Sequence, residues 1–169
     1  MFEASILKTS IATLAFVVML PSAASCASVR AVAGSRELAH PRVKGAAGPY
    51  RRTTLILTRP AGKATSRFMG VLDVGGGKRL ALDGPDEPDD FFYLDVKAVV
   101  FTPIDRSRAN GIVVLYNSSK IGPGNGTDQR ALIYRVEADR AVRQPAIEER
   151  LEGVKNAAEA RAKLARVRS

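Results

Sequence analysis

Two hydrophobic rhythms run along this chain, and the change between them divides it. From Tyr50 to Val136 the apolar residues fall in short runs broken by Gly, Pro and Asp, the signature of strands. Thr53-Thr54-Leu55-Ile56-Leu57-Thr58 is rich in β-branched residues and stops at Pro60. Arg67 to Val74 predicts a second strand, Gly75-Gly76-Gly77 a turn, and Lys78 to Asp83 the returning strand of a hairpin. Phe91 to Thr102 is dense in Phe, Tyr and Val and predicts a central strand ended by Pro103. Gly111-Ile112-Val113-Val114-Leu115-Tyr116 predicts a buried strand. Arg130 to Val136 predicts another, with Leu132, Tyr134 and Val136 on one face.

Past Pro145 the period becomes helical. Proline suits the first position of a helix, and Glu148 and Glu149 suit its first turn, where the helix dipole favours carboxylates. Gly153 ends that segment. Asn156-Ala157-Ala158-Glu159 then resembles a capping box with Asn at the cap. It opens a second helix striped by Ala157, Ala160, Leu164 and Val167, whose small side chains call for close packing. The expected fold class is α+β: an antiparallel β-sheet of about five to six strands with two short C-terminal helices.

The first 49 residues read differently. Lys8, the apolar run Ile11–Leu20, Pro21 and the small residues Ser22 to Ala27 have the parts of a secretory signal, so residues 1–27 are expected to be a cleaved signal peptide. The apolar run is shorter than the roughly 20 residues of a spanning helix. Cys26 offers another fate, lipid attachment, although Ala23 stands where that pattern wants Leu. Residues 28–49 are rich in Ala, Gly and Arg and read as a flexible basic linker, leaving residues 50–169 as a single domain. Cleavage after Ala27 would leave a mature chain without cysteine, so packing rather than disulfides must hold it. That is ordinary for a bacterial periplasm, and the expected location is periplasmic or extracellular, or the outer membrane through Cys26.

Charge sharpens this picture. The net charge is +9, yet Ala27 to Arg67 holds nine basic residues and one acidic, whereas Phe68 to Val136 holds eight basic and nine acidic. The excess belongs to the N-terminal segment, not to the expected domain. Such a segment can lie on anionic polymers. Export argues against nucleic acid and leaves a weak contact of residues 28–52 with anionic membrane or glycan.

The residue inventory excludes several chemistries. His40 is the single histidine and stands beside Pro41, a poor place for a nucleophilic system or a zinc site. Gly75-Gly76-Gly77-Lys78 lacks the spacing of a phosphate loop, with Arg79 in the Ser/Thr position. Asp83 to Asp90 holds five carboxylates, but Pro85 and Pro88 restrict wrapping around calcium. Asp105 to Gly111 is similar to the Asp-rich calcium turns of FG-GAP-type repeats. Arg106, Arg108 and Ala109 depart from that pattern, and a single copy implies no propeller. No cofactor or metal is expected, nor catalysis.

Two loops remain as candidate surfaces. The acidic loop offers Asp83, Asp86, Glu87, Asp89 and Asp90, stiffened by two prolines and followed by Phe91, Phe92 and Tyr93. Acid beside aromatic suits a basic protein partner. The second, Asn117 to Arg130, is Gly-rich and polar, with Asn125 at its centre. The leading expectation is a small inhibitor or immunity-type protein that blocks an envelope-acting enzyme through the acidic loop. The alternative is an envelope-associated accessory protein held to anionic lipid or glycan by its basic N-terminal arm.

Overall fold

Among the described residues, nine strands, rather than five or six, form two antiparallel sheets instead of one. The computed structural model describes residues 35–63, 67–87, 92–122 and 126–168. The expected signal peptide lies outside the described residues. The first sheet holds β1 (Arg36–Leu38), β2 (Val43–Ala47), β3 (Tyr50–Pro60), β4 (Met69–Gly75) and β5 (Lys78–Leu82). The second holds β6 (Phe92–Pro103), β7 (Asn110–Lys120), β8 (Thr127–Val136) and β9 (Ala141–Arg143), in that spatial order. Helix α1 (Pro145–Glu148), a 3₁₀ turn (Glu149–Leu151) and α2 (Ala157–Arg168) follow. Residues 33–169 make one compact unit.

Three layers result. Leu55, Leu57, Leu72, Leu80 and Leu82 of the first sheet meet Leu94, Val96, Ile112, Val114, Leu132 and Tyr134 of the second. The opposite face of the second sheet, through Val100, Val113, Leu115 and Ile133, packs on Leu151, Val154, Ala160 and Leu164. The second sheet is therefore covered on both sides, which is why Gly111–Tyr116 reads as an unbroken apolar run. The Ala-rich stripe of α2 packs closely, as its small side chains require: Ala160 and Leu164 are fully buried.

The segment expected to be a flexible linker contains β1 and β2, which pair with the same edge of β3 on either side of Pro41. Its small residues serve packing. A Cβ on Gly45 would lie 2.3 Å from the Phe101 ring. Gly48 has φ +54 and sits where a Cβ would meet the Val136 carbonyl oxygen at 2.1 Å, and its N–H donates to the Asn110 carbonyl across the sheets (2.7 Å). Composition that signals a loose tether elsewhere here signals close approach of two sheets.

Two further expectations change. Strand β6 is an edge strand, not a central one. A bulge between Val96 and Ala98, at exposed Lys97, suits an edge, and it keeps Leu94 and Val96 on one core while turning Ala98 and Val100 to the other. The Gly-rich loop is shorter than Asn117–Arg130, because β7 continues to Lys120 and β8 begins at Thr127. The hairpin β4–β5 forms as expected, with positive φ at Gly75, Gly76 and Gly77.

The cap of α2 also forms. The Asn156 side-chain oxygen accepts the Glu159 N–H (3.0 Å), while the Glu159 carboxylate accepts the N–H of Lys155 (3.0 Å). Asn156→Ala should cost about 1 kcal/mol, read as a lower urea midpoint at unchanged slope. A change below a few tenths would mean that the cap is idle.

Candidate functional site

Residues 83–87, the described part of the acidic segment after β5, do not project. They are drawn across the second sheet by four side chains. The Tyr134 hydroxyl donates to the Asp83 carbonyl, and Arg143 reaches Asp86 (2.7 Å). Glu87 is buried, accepts the Tyr116 hydroxyl (2.9 Å) and lies 3.3 Å from Arg130. Both tyrosines come from inward positions of β7 and β8, which the strand period dictates. The ring of Phe68 packs edge-on against Tyr116, with centroids 5.6 Å apart. Burial pushes both hydroxyls well above the ordinary tyrosine value, and at Tyr116 the Glu87 carboxylate adds to the shift.

Arg143 stands at the end of β9, where β8 continues without a neighbour. Glu148 of α1 fills the gap. Its carboxylate accepts the Ile133 N–H (2.9 Å) and binds the Arg143 guanidinium through Nε and a terminal nitrogen (2.8–3.0 Å). The Gln144 carbonyl, which a longer strand would have offered to Ile133, instead accepts the Ile147 and Glu148 N–H groups of α1. The Glu148 hydrogen bonds hold Arg143 further above its ordinary value. Beside this pair lies a small polar cavity of about 210 Å³, walled by Tyr116, Arg130, Ala131, Glu149 and Glu152. It offers hydrogen bonds and charges of both signs, with the inner carboxylates already partnered.

The candidate residues thus separate. Asp83, Asp86 and Glu87 are brought together over β7–β9, with Glu87 inside and the Asp83 and Asp86 side chains exposed. Phe92 packs against the core between the sheets, and Tyr93 faces outward, 50% exposed. Asp89, Asp90, Phe91 and Asn125 lie outside the described residues. Among the described residues, no three His, Cys, Asp or Glu side chains converge for a metal ion. At the turn with the calcium-loop resemblance, Asp105 accepts the Ser107 N–H (2.8 Å). Its hydrogen bond from Ser107 holds the Asp105 carboxyl below the usual range, in a tight turn where Arg108 has φ 62.

A second site emerges on the β2–β3 hairpin. Lys44, Arg51 and Arg52 line an open groove of about 560 Å³ with Thr53, Thr54 and Asp73. None of the three cations has a side-chain partner among the described residues, and all are exposed. Their charge was visible in the sequence, but their convergence was not, because it depends on β2 folding back on β3. Among the described residues, no helix is long and apolar enough to cross a membrane.

Compared with protein-family models, curated proteins and solved structures, the chain matches no family, no curated relative and no solved structure. Function must be argued from the two sites themselves.

Proposed function

We propose that this chain is a non-enzymatic binding protein of the bacterial envelope that holds an anionic partner through the β2–β3 hairpin. The observation that carries the reading is the groove of Lys44, Arg51 and Arg52, three cations gathered on paired strands without side-chain partners among the described residues. Several other cations are paired within the fold: Arg59 with Glu37, Arg130 with Glu87, Arg140 with Glu137, Arg143 with Glu148. Charge left unpaired on a rigid element costs little entropy to dock. Export, which residues 1–27 predict, would place the groove among anionic lipids and glycans.

The inhibitor reading draws less support. It needs the acidic loop to offer free carboxylates, and Glu87 is turned inward while Asp86 is engaged by Arg143. Among the described residues of that loop, Asp83, Asp86 and Tyr93 are exposed.

The test uses residues 33–169, the compact unit that contains every described element. The probes are phosphatidylglycerol vesicles and the soluble polyanion polygalacturonate. Each cation near an anionic surface is worth about 1 kcal/mol, so Lys44→Ala, Arg51→Ala and Arg52→Ala together should weaken binding about a hundredfold at low salt, with a shallower salt dependence. If the triple variant binds both probes as the wild type does, the hairpin is not the site. If instead an envelope protein is captured and lost on Asp83→Asn with Tyr93→Ala, the inhibitor reading replaces it.

A further inference from the structure

The outer face of the first sheet carries an unusual set of side chains. Inward residues alternate with outward ones along β3, β4 and β5, and the inward set fills the core. Strand register places the outward set in three rows. Leu38, Thr58 and Met69 form one, Ile56, Val71 and Ala81 the next, and Lys44, Thr54, Asp73 and Arg79 the third. A solvated sheet face normally alternates polar-out. Here two adjacent rows are apolar save for Thr58, with Leu38 49% and Met69 50% exposed. Among the described residues, both helices pack on the far side of the other sheet, so neither covers this face.

Cations flank the apolar centre. Lys44 and Arg79 close the third row, with Arg51 and Arg52 in the adjoining groove. At the opposite end Arg36 lies across Thr58, donating to its hydroxyl and carbonyl (both 3.0 Å) with its guanidinium still exposed. The single carboxylate in these rows is Asp73, which accepts the Gly75 N–H (2.9 Å).

We infer that this face seats on an anionic bilayer, its Leu38, Ile56, Met69 and Val71 rows entering the headgroup boundary while Lys44, Arg51, Arg52 and Arg79 meet lipid phosphates. The inference rests on the basic-hairpin reading and names its partner. Charge decides among occupants. A second copy of the same face would set cations against cations, with Asp73 alone to offset them. A soluble polyanion would satisfy the cations but leave the apolar rows in water. A bilayer with anionic headgroups satisfies both at once, because charge lies at its surface and apolar chains lie just beneath.

Residues 33–169 are tested by co-sedimentation with phosphatidylcholine vesicles, with phosphatidylcholine–phosphatidylglycerol vesicles, and by retention on polygalacturonate. The wild type should sediment with the mixed vesicles and not with phosphatidylcholine alone. Leu38→Ser with Met69→Ser touches exposed positions, so folding should persist, checked by an unchanged cooperative melt. The pair should lower vesicle partition about a hundredfold, roughly tenfold per side chain, and leave polygalacturonate retention unchanged. The unit 33–169 lacks cysteine, so Met69→Cys gives a single site for an environment-sensitive fluorophore, whose emission should shift to the blue on the mixed vesicles.

If the Ser pair binds vesicles as the wild type does, or the fluorophore stays in water, the bilayer inference fails. The hairpin reading then survives provided that the Lys44, Arg51 and Arg52 substitutions still abolish binding to polygalacturonate. Equal binding to phosphatidylcholine alone overturns the role of the cations. Binding to neither probe overturns both readings.

Discussion

Glu148→Ala should destabilise the fold by about 3 kcal/mol, the lower end of what breaking a buried ion pair costs. The carboxylate does two jobs at one point. It neutralises Arg143, whose side chain is 22% exposed, and it accepts the Ile133 N–H in place of the Gln144 carbonyl, which α1 takes. Alanine would leave a half-buried guanidinium with Asp86 alone, a side chain 83% exposed and thus a weak partner. It would also leave the Ile133 N–H without an acceptor at the point where the ladder stops. Glu148→Gln keeps a neutral acceptor and should recover part of the loss. Replacing Arg143 and Glu148 together by Leu should cost less than Glu148→Ala alone, because no charge is then stranded. Urea unfolding of the four proteins measures all of this. A loss below 1 kcal/mol for Glu148→Ala would mean that water takes over the role of the carboxylate.

Glu148 also shows where sequence reading reaches its limit. Its place in the first turn of a helix opened by Pro145 was legible, as were the cap at Asn156, the stop at Gly153 and the Ala-rich stripe, because all of these depend on neighbours within a few residues. Its pairing with Arg143 was not, since a first-turn carboxylate has a sufficient local reason to be there. The strands read the same way. Thr53–Thr58, the Gly75–Gly77 hairpin and the Ile112–Tyr116 run declare themselves by period and turn chemistry. That the sheets number two does not, because residues alternating toward a partner sheet look like residues alternating toward a helix. The arm was misread for a related reason: Gly45 and Gly48 are small because Phe101 and Val136 crowd them, and those residues are distant in the sequence. The acidic loop is the sharpest case for function. Carboxylates between prolines read as a free surface, yet Tyr116 and Arg130, from strands chosen for their apolar runs, turn Glu87 inward.

Those tyrosines carry the last expectation: the fold should weaken steeply in alkali. Tyr116 and Tyr134 are both held above the ordinary value, chiefly by burial, so the folded state keeps two protons that the unfolded chain releases near pH 10. Their contribution is complete below that pH and is lost as pH rises above it. The slope for each hydroxyl rises from about half of 1.4 kcal/mol per pH unit at pH 10 to nearly all of it by pH 11, so the pair should remove about 2 kcal/mol over that unit. Urea midpoints measured from pH 8 to 11 test the sum, and the 295 nm absorbance of ionised tyrosine should rise for this pair only as the protein unfolds. Tyr116→Phe should halve the excess slope. It should also free Glu87 from its hydroxyl donor, leaving Arg130, among the described residues, to tie that carboxylate to the second sheet. Asp86 would still hold the segment through Arg143, so the loop should loosen without detaching, seen as faster amide exchange at residues 83–87 in an otherwise protected sandwich. A flat stability profile to pH 11 would mean that both hydroxyls ionise within the native state, and the acidic segment would then be a surface loop after all.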